Sequence, residues 1–513
     1  MVSSALLALA GSAEWLAASG QEMLRDWSGV SGSLSTDDQF GASVVGIGDV
    51  DGDGVPDAAI SAPWEDPSYN VELGDVYVIS GATGVVLQHQ FGASDRTIFG
   101  YPLCVPGDLD GDGVNDYLVS ATDGVFYTGP GVVNAYSGAT GSNLFTLSGP
   151  WNGSRFGYHV RDLGDVDADG VADFGIGDDP TGLGDVYVYS GATLAVLYSF
   201  HGATQNPPSN MVTVCGVGDL DSDGHADFGV GAAGDGSNSE GAFTVYSGSS
   251  GAILWSLLGE QHRSFFGWEA CSLGDTDADG VTDFAVTAHA YTGNLNSQGR
   301  VYVYSGRTSG LLWEFTGTTW NEQLGILPRN GPIDFNHDGY DDIPIGSFMI
   351  STAYIYSGRT GTLLYKFNTG NGDTLGGSLA AAGDVNGDGI DDILIGAPDD
   401  SRYYAAAGRA YVYAGNDLFL QSRKNEYHAS DQVSLTIRGG EPGNPSCIVL
   451  TDLSGTPLFV PVLIGLLDAV GNLHLTGTTP SGLSGMTMTF MGYAIGANGH
   501  TVIDSSPETI TFK

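Results

Sequence analysis

Short stretches of this chain place a large apolar side chain at every second position, mostly with small residues between. Asp116-Tyr-Leu-Val-Ser-Ala121, Asp227-Phe-Gly-Val-Gly-Ala232 and Asp392-Ile-Leu-Ile-Gly-Ala397 show one form of the pattern. Gly184-Asp-Val-Tyr-Val-Tyr-Ser-Gly191 and Gly299-Arg-Val-Tyr-Val-Tyr-Ser-Gly306 show a second, closed by glycine at both ends. A period of two carried by β-branched and aromatic residues predicts strands. Two further strands flank these in each unit. One follows a Phe-Gly pair or a variant of it: Phe40-Gly41, Phe99-Gly100, Phe156-Gly157, Phe266-Gly267, Leu324-Gly325 and Leu375-Gly376. The other follows a turn of the Ser-Gly-Ala-Thr-Gly type, as at Leu311 to Phe315. Helical periodicity is absent from these units.

Between the first and second strands lies an acidic loop, Asp49-Val-Asp-Gly-Asp-Gly-Val-Pro-Asp57 in its first copy. Six more copies begin at Asp108, Asp165, Asp219, Asp275, Asp334 and Asp384, at intervals of 59, 57, 54, 56, 59 and 50 residues. A near-constant period of this size means one supersecondary unit per repeat. Four antiparallel strands per repeat, seven times over, predict an all-β fold, a seven-bladed β-propeller. The seventh third strand, Gly408-Arg-Ala-Tyr-Val-Tyr-Ala-Gly415, has no fourth strand of the repeat's own pattern after it. Ser19 to Gly29 aligns with that missing piece, so Met23 to Trp27 is expected to pair with Tyr411 to Tyr413 and close the ring. Leu418 to Gln421 is the rival for the position. Closure removes the unpaired strand edge that an open ring would expose. Residues 19–415 are thus assigned to the propeller. Residues 416–513 lose the motif but keep alternating runs such as Gln432 to Ile437 and Met486 to Phe490, which predict a small C-terminal domain of β-sandwich type. Residues 1–18 hold a short apolar run, Ala5 to Ala13, ending in small residues without a basic start. They are read as a degenerate secretion signal or a disordered start.

Aspartate at every second residue of a tight turn supplies the six to eight oxygens that calcium takes. In the first loop the side chains of Asp49, Asp51, Asp53 and Asp57 and the Val55 carbonyl are the expected ligands. The same roles fall on Asp108, Asp110, Asp112 and Asp116 with Val114, and on Asp165, Asp167, Asp169 and Asp173 with Val171. They continue through Asp219, Asp221, Asp223 and Asp227 with His225, and Asp275, Asp277, Asp279 and Asp283 with Val281. The sixth loop offers Asp334, Asn336, Asp338 and Asp342 with Tyr340, the seventh Asp384, Asn386, Asp388 and Asp392 with Ile390. There the amide coordinates without charge, and Asp341 and Asp391 are expected to restore part of the local field. An EF-hand needs Glu at the twelfth position, where these loops have Ile60, Val119, Ile176, Val230, Val286, Ile345 and Ile395. The ninth-position Asp must therefore end the loop.

Taken together, the Phe-Gly pairs, the Asp-x-Asp-x-Asp-Gly-x-x-Asp loops and a Gly-Ala-Pro-like tripeptide resemble the FG-GAP repeat family. This is the calcium-binding propeller of integrin α-subunit N-terminal regions and many secreted bacterial proteins. Gly396-Ala-Pro398 is an intact copy of the tripeptide and Ser61-Ala-Pro63 is close, whereas the fourth repeat lacks Phe-Gly and has Asn210-Met211 nearby. The resemblance covers roughly residues 20 to 415. It implies an extracellular location, up to seven structural calcium ions and a ligand-binding face opposite the metals.

Composition narrows the partners. With 16 basic residues against 60 acidic ones, the net charge of −44 disfavours nucleic acid and anionic membranes. Seven divalent ions would bring it to −30. The apolar run Leu458 to Val470 is interrupted by Pro461 and Asp468 and is too short to span a bilayer. A monomer without membrane insertion is expected. Cys104, Cys215 and Cys271 each precede a loop by four residues, where Val45 and Ala380 stand elsewhere, so this is a small buried strand position. A Cys215 to Cys271 disulfide stays open as an alternative. Arg161 occupies the same position and is expected to pair with a neighbouring Asp.

Antiparallel order puts the acidic loops and the turns between third and fourth strands on one face. The opposite face receives the variable loops and their aromatics, Trp64, Tyr69, Phe126, Tyr127, Trp151, Tyr291, Trp320, Tyr403 and Tyr404. Rigid scaffolds carry binding residues on such loops. The expected function is a calcium-stabilised extracellular binding or adhesion scaffold engaging a protein or carbohydrate through that face. The alternative is a polysaccharide-acting lyase or glycoside hydrolase near the central channel, drawing on Asp178, Asp179, His289, Asp399 and Asp400. No HExxH, nucleophile elbow or repeated acid pair supports it.

Overall fold

The computed structural model describes residues 23–28, 38–64, 73–93, 97–123, 129–152, 154–178, 184–202, 213–236, 238–347, 349–368, 372–400 and 407–415, and strand backbone between 419 and 512. Among these residues every regular element is a strand. Seven four-stranded antiparallel sheets follow one another as blades. Their inner strands are Val44–Gly48, Thr97–Gly107, His159–Gly164, Thr213–Gly218, Phe266–Gly274, Leu324–Ile326 and Ser378–Gly383. The sixth is the shortest, in a segment that carries Pro328 and Pro332, which have no N–H for a ladder.

Seven apolar layers hold the ring together, one at each seam between neighbouring blades. Val45, Ile47 and Val78 of the first blade, for example, pack with Phe99, Leu103 and Tyr117 of the second. The layer between the third and fourth blades is built from Leu163, Val166, Val186, Val188, Val214, Phe228 and Val230. The first Phe-Gly pair fastens its blade to the seventh. Phe40 is buried in the layer shared with the seventh blade. Gly41 has φ +92°, and a Cβ there would stand 2.2 Å from the Arg409 carbonyl oxygen, so only glycine fits.

Ring closure follows the sequence expectation. Met23–Ser28 pairs antiparallel with Arg409–Tyr413, with Asp26 opposite Tyr411 and Trp27 opposite Ala410. Trp27 packs onto the apolar layer between the seventh and first blades, and the Arg409 guanidinium donates to Asp26. The rival segment is used elsewhere: Phe419–Ser422 pairs with Gln432–Arg438 in a three-stranded sheet completed by Leu473–Thr478. A second sheet beyond the propeller contains Glu508–Phe512, Thr487–Ile495, Pro445–Leu453 and Thr456–Leu466 in neighbouring order. Residues 1–18, with the expected secretion signal, and Asn210-Met211 lie outside the described residues.

Candidate metal centres and the opposite face

Each acidic loop folds around its own carboxylates. The first Asp accepts the N–H of the sixth-position glycine at 2.7 to 2.9 Å in all seven copies. The fifth-position Asp accepts the N–H of the seventh residue at 2.9 to 3.2 Å. That path requires positive φ at the sixth residue, always glycine, from +83° at Gly339 to +94° at Gly170. The fourth residue is left-handed as well, including the non-glycines Ala168, Ser222, Ala278 and His337, a feature the residue pattern alone did not reveal.

The ninth-position Asp ties the loop to its blade. Asp57 is 1 % exposed; its Oδ2 accepts the Val50 N–H at 2.8 Å and its Oδ1 the Gly81 N–H at 3.0 Å. Gly81 belongs to the turn between third and fourth strands, so loop and turn share one face. Equivalent turn glycines bond Asp116, Asp173, Asp227, Asp283 and Asp342, and Gly415, just after the seventh third strand, bonds Asp392. Five loops bring three carboxylates together with oxygens within 4.8 Å of one another: Asp49, Asp51 and Asp53; Asp108, Asp110 and Asp116; Asp165, Asp167 and Asp173; Asp219, Asp221 and Asp227; Asp275, Asp277 and Asp279. In the sixth and seventh loops Asn336 and Asn386 hold the third position and accept the Asp338 and Asp388 N–H groups at 3.1 and 2.9 Å.

Burial, reinforced by neighbouring Asp charges, pushes the ninth-position carboxyls up. Asp173 and Asp227 reach about 6 and Asp392 about 7, and Asp342 lies well above the ordinary carboxylate range. A bound cation would relieve both causes. The expected donors are all oxygens and are oriented beforehand by backbone N–H groups, a set that fits a hard divalent ion.

Asp341 and Asp391 lie beside the acids of their own loops and also serve the preceding blade. The Asp341 carboxylate accepts the Asp275 N–H at 2.7 Å, and Asp391 is engaged by the backbone of Asp334. Asn115, also at the eighth position, donates to the Ile47 carbonyl at 3.1 Å. The eighth residue is therefore a seam contact, a role set by tertiary packing and invisible in one loop's spacing. One expectation is corrected: among the described residues Arg161 pairs with no Asp, and the carboxylate beside it is Glu269, at 4.0 Å. Cys104, Cys215 and Cys271 are buried free thiols, so the alternative disulfide is not formed.

On the opposite face, a cleft of about 300 Å³ opens where the seventh, first and second blades meet. Trp64, Tyr101, Ile98, Pro63 and Pro398 give it apolar walls, with Asp399 and Thr374 at its polar side. Thr374 Oγ1 donates to Asp399 at 2.9 Å, which fixes the acid's position. Trp151 and Trp320 are exposed, at 44 % and 68 %. Tyr291 instead packs against its own blade, with the Arg300 guanidinium 3.7 Å from its ring centre. Tyr69, Phe126, Tyr127, Tyr403, Tyr404 and Asp179 lie outside the described residues. The remaining acid and histidine candidates do not converge. Asp178 is buried in the third blade and accepts the Asp185 N–H. His289 is packed between Phe265 and Trp268 in the fifth. Asp400 accepts the Tyr411 hydroxyl in the seventh at 3.0 Å.

Three stretches of the chain, residues 40–79, 266–304 and 375–413, match the FG-GAP repeat. Integrin alpha-V of Gallus gallus is 28 % identical over 310 residues, covering 59 % of this chain and 24 % of its own length. Integrin alpha-2 of Mus musculus is 33 % identical over 165 residues, covering 28 % and 14 %. Integrin alpha-5 of Xenopus laevis is 30 % identical over 230 residues, covering 41 % and 21 %. The chain thus spans at most about a quarter of the length of these relatives. Among solved structures, the Dos1 propeller aligns at a TM-score of 0.44 and 9 % identity, over 77 % of this chain and 95 % of that one.

Proposed function

We propose that this integrin-α-like FG-GAP β-propeller is a calcium-stabilised extracellular scaffold that binds a protein or carbohydrate partner on the face opposite its acidic loops. The observation that carries the metal half is the repeated pre-orientation of oxygen donors around a buried ninth-position Asp. In each loop the ligands are the side chains at positions one, three, five and nine and the carbonyl at position seven. The ions act as structural staples, since they neutralise carboxylates that the fold itself crowds and buries. At millimolar calcium, a site with a dissociation constant of about 10⁻⁴ M adds about 1.4 kcal/mol of stability. Chelated protein titrated with calcium in a calorimeter is expected to take up several ions and to unfold at a higher temperature. Absence of both effects defeats the metal assignment.

The binding half rests on the cleft walled by Trp64 and Tyr101. Aromatic faces and proline rings flanking one fixed carboxylate suit a partner that presents an apolar surface with a hydrogen-bond donor, as sugars and peptides both do. The net charge of −44 supports a neutral or basic partner over an anionic one. Residues 19–415 form the binding unit in this reading, with 416–513 as a separate β domain. Trp64→Ala is expected to abolish capture of ligands from an array of glycans and extracellular proteins, and Trp320→Ala to weaken it. Both variants should keep the calcium-dependent unfolding temperature. Unchanged capture with Trp64→Ala places the site elsewhere.

A further inference from the structure

The inner strands of the third to fifth blades and the segment Pro328 to Gly331 of the sixth line a second cavity, of about 220 Å³, beside the acidic loops. Its wall carries charge where the other blades carry Val45, Cys104 or Ala380. Arg161 is 3 % exposed, and none of its three side-chain nitrogens has a hydrogen-bond partner. Glu269 stands 4.0 Å away with its other oxygen accepting the Leu327 N–H at 3.1 Å. A second guanidinium, Arg329, is 9 % exposed and faces the same cavity. Asn330 Oδ1 on the wall, and Thr213 Oγ1 and both ring nitrogens of His159 one turn of the pleat above it, are also buried without partners. These and Arg161 account for seven of the ten such atoms among the described residues, so the deficit is concentrated here. Asp162 also lines the cavity, but its carboxylate already takes the Gly164 N–H at 3.0 Å.

A buried guanidinium without acceptors, as at Arg161, costs several kcal/mol, by order of magnitude, and the Arg329 charge beside it adds repulsion. Burial and the Arg329 charge accordingly push the Arg161 guanidinium below its ordinary pKa. The donors in excess are the planar forks that bind tetrahedral and carboxylate oxyanions through paired N–H bonds. We propose that the cavity between Arg161 and Arg329 is a binding site for one small oxyanion of the sulfate or phosphate class.

The test uses the full chain in calcium-containing buffer, with sodium sulfate as probe and sodium chloride at matched ionic strength as control. Wild type, Arg161→Met and Arg329→Met are compared by calorimetric titration and thermal unfolding. Methionine at 161 is an apolar filler of a position that other blades already fill with apolar side chains. Sulfate stabilises any folded protein by exclusion from its surface, so only the excess in wild type counts. The expected result is binding of one sulfate per wild-type chain, weakened at least about ten-fold in either variant, with a sulfate-specific rise in unfolding temperature that the variants lack. Absence of binding heat in wild type, or equal sulfate responses in all three proteins, overturns the proposal. If Arg161→Met does not fold, the wild-type titration and Arg329→Met decide it alone.

Discussion

At the residue scale, the same amino acid does two different jobs within nine positions of a loop. Asp112, at position five, is exposed and accepts the Val114 N–H at 2.9 Å. Asp116, at position nine, is fully buried and takes the N–H groups of Leu109, Asp110 and Gly138 at 2.8, 3.2 and 2.9 Å. Removing Asp116 leaves the buried Gly138 N–H and the half-buried Leu109 N–H without their acceptor, so Asp116→Ala is expected to cost about 2 to 3 kcal/mol even in chelator. Asp112→Ala should change chelated stability by no more than about 0.5 kcal/mol while still lowering calcium uptake. Denaturant unfolding with and without calcium separates the two, and equal losses in chelator contradict the division of roles. The spacing of the acids was enough to predict that three carboxylates gather within one loop, as they do in five of the seven, because that geometry is local to one turn. It did not show that Asp341 reaches Asp275, or that Arg161 lacks an Asp partner. Those facts depend on which strand lies next door, and no local period encodes that.

At the element scale, loop, turn and neighbouring blade form one mechanical chain. The turn glycine that donates to the ninth-position Asp also offers its carbonyl to the outer strand of the preceding blade. Arg25 bonds the Gly81 carbonyl at 2.7 Å, Tyr198 that of Gly248 at 2.6 Å and Trp313 that of Gly358 at 2.8 Å. Order in an acidic loop is thus coupled across a seam. The titration of the ninth-position acids gives this a pH signature. Their pKa is raised on folding, from the ordinary 3.8 to about 6 for Asp173 and Asp227 and to about 7 for Asp392, so the folded state holds protons that the unfolded chain has released. The stability they contribute is complete below the unfolded value and is lost as pH rises through about 7. Metal-free protein is therefore expected to unfold at a higher temperature at mildly acidic than at mildly alkaline pH. Calcium, which competes with those protons, should erase or invert the difference. A metal-free stability that climbs over the same range would mean that the backbone N–H bonds to these acids outweigh their burial. The alternating runs made the strands themselves legible. The shortened inner strand at Leu324–Ile326 was less so, because its prolines act on a ladder whose partner is set by the whole blade.

For the whole molecule, the repeat count was decisive: seven loops gave seven blades, and the missing fourth strand gave the closure at Met23–Ser28. The aromatic cleft was legible only in part. Trp64 stood out in its loop, whereas Tyr101 and Ile98 come from the next blade and meet it only when the ring is closed. Deleting residues 1–29 is expected to lower the calcium-loaded unfolding temperature by at least about 5 °C and to promote self-association through the bared strand. An unchanged temperature with a monomeric product rules out closure by this strand. Asp26→Ala should cost about 1 to 3 kcal/mol, since it removes a carboxylate paired with the buried Arg409, and the double variant with Arg409→Ala should show a smaller loss than the two single variants summed. The pairing of Asp26 with Arg409 joins residues 383 positions apart. A ribosome adding 5 to 20 residues per second therefore leaves the first strand without its mate for roughly 20 to 80 s. For that interval the nascent chain carries an unsatisfied β-edge at its leading end. The last blade is completed only by a segment made first, so any chain released before residue 413 is a ring that cannot shut.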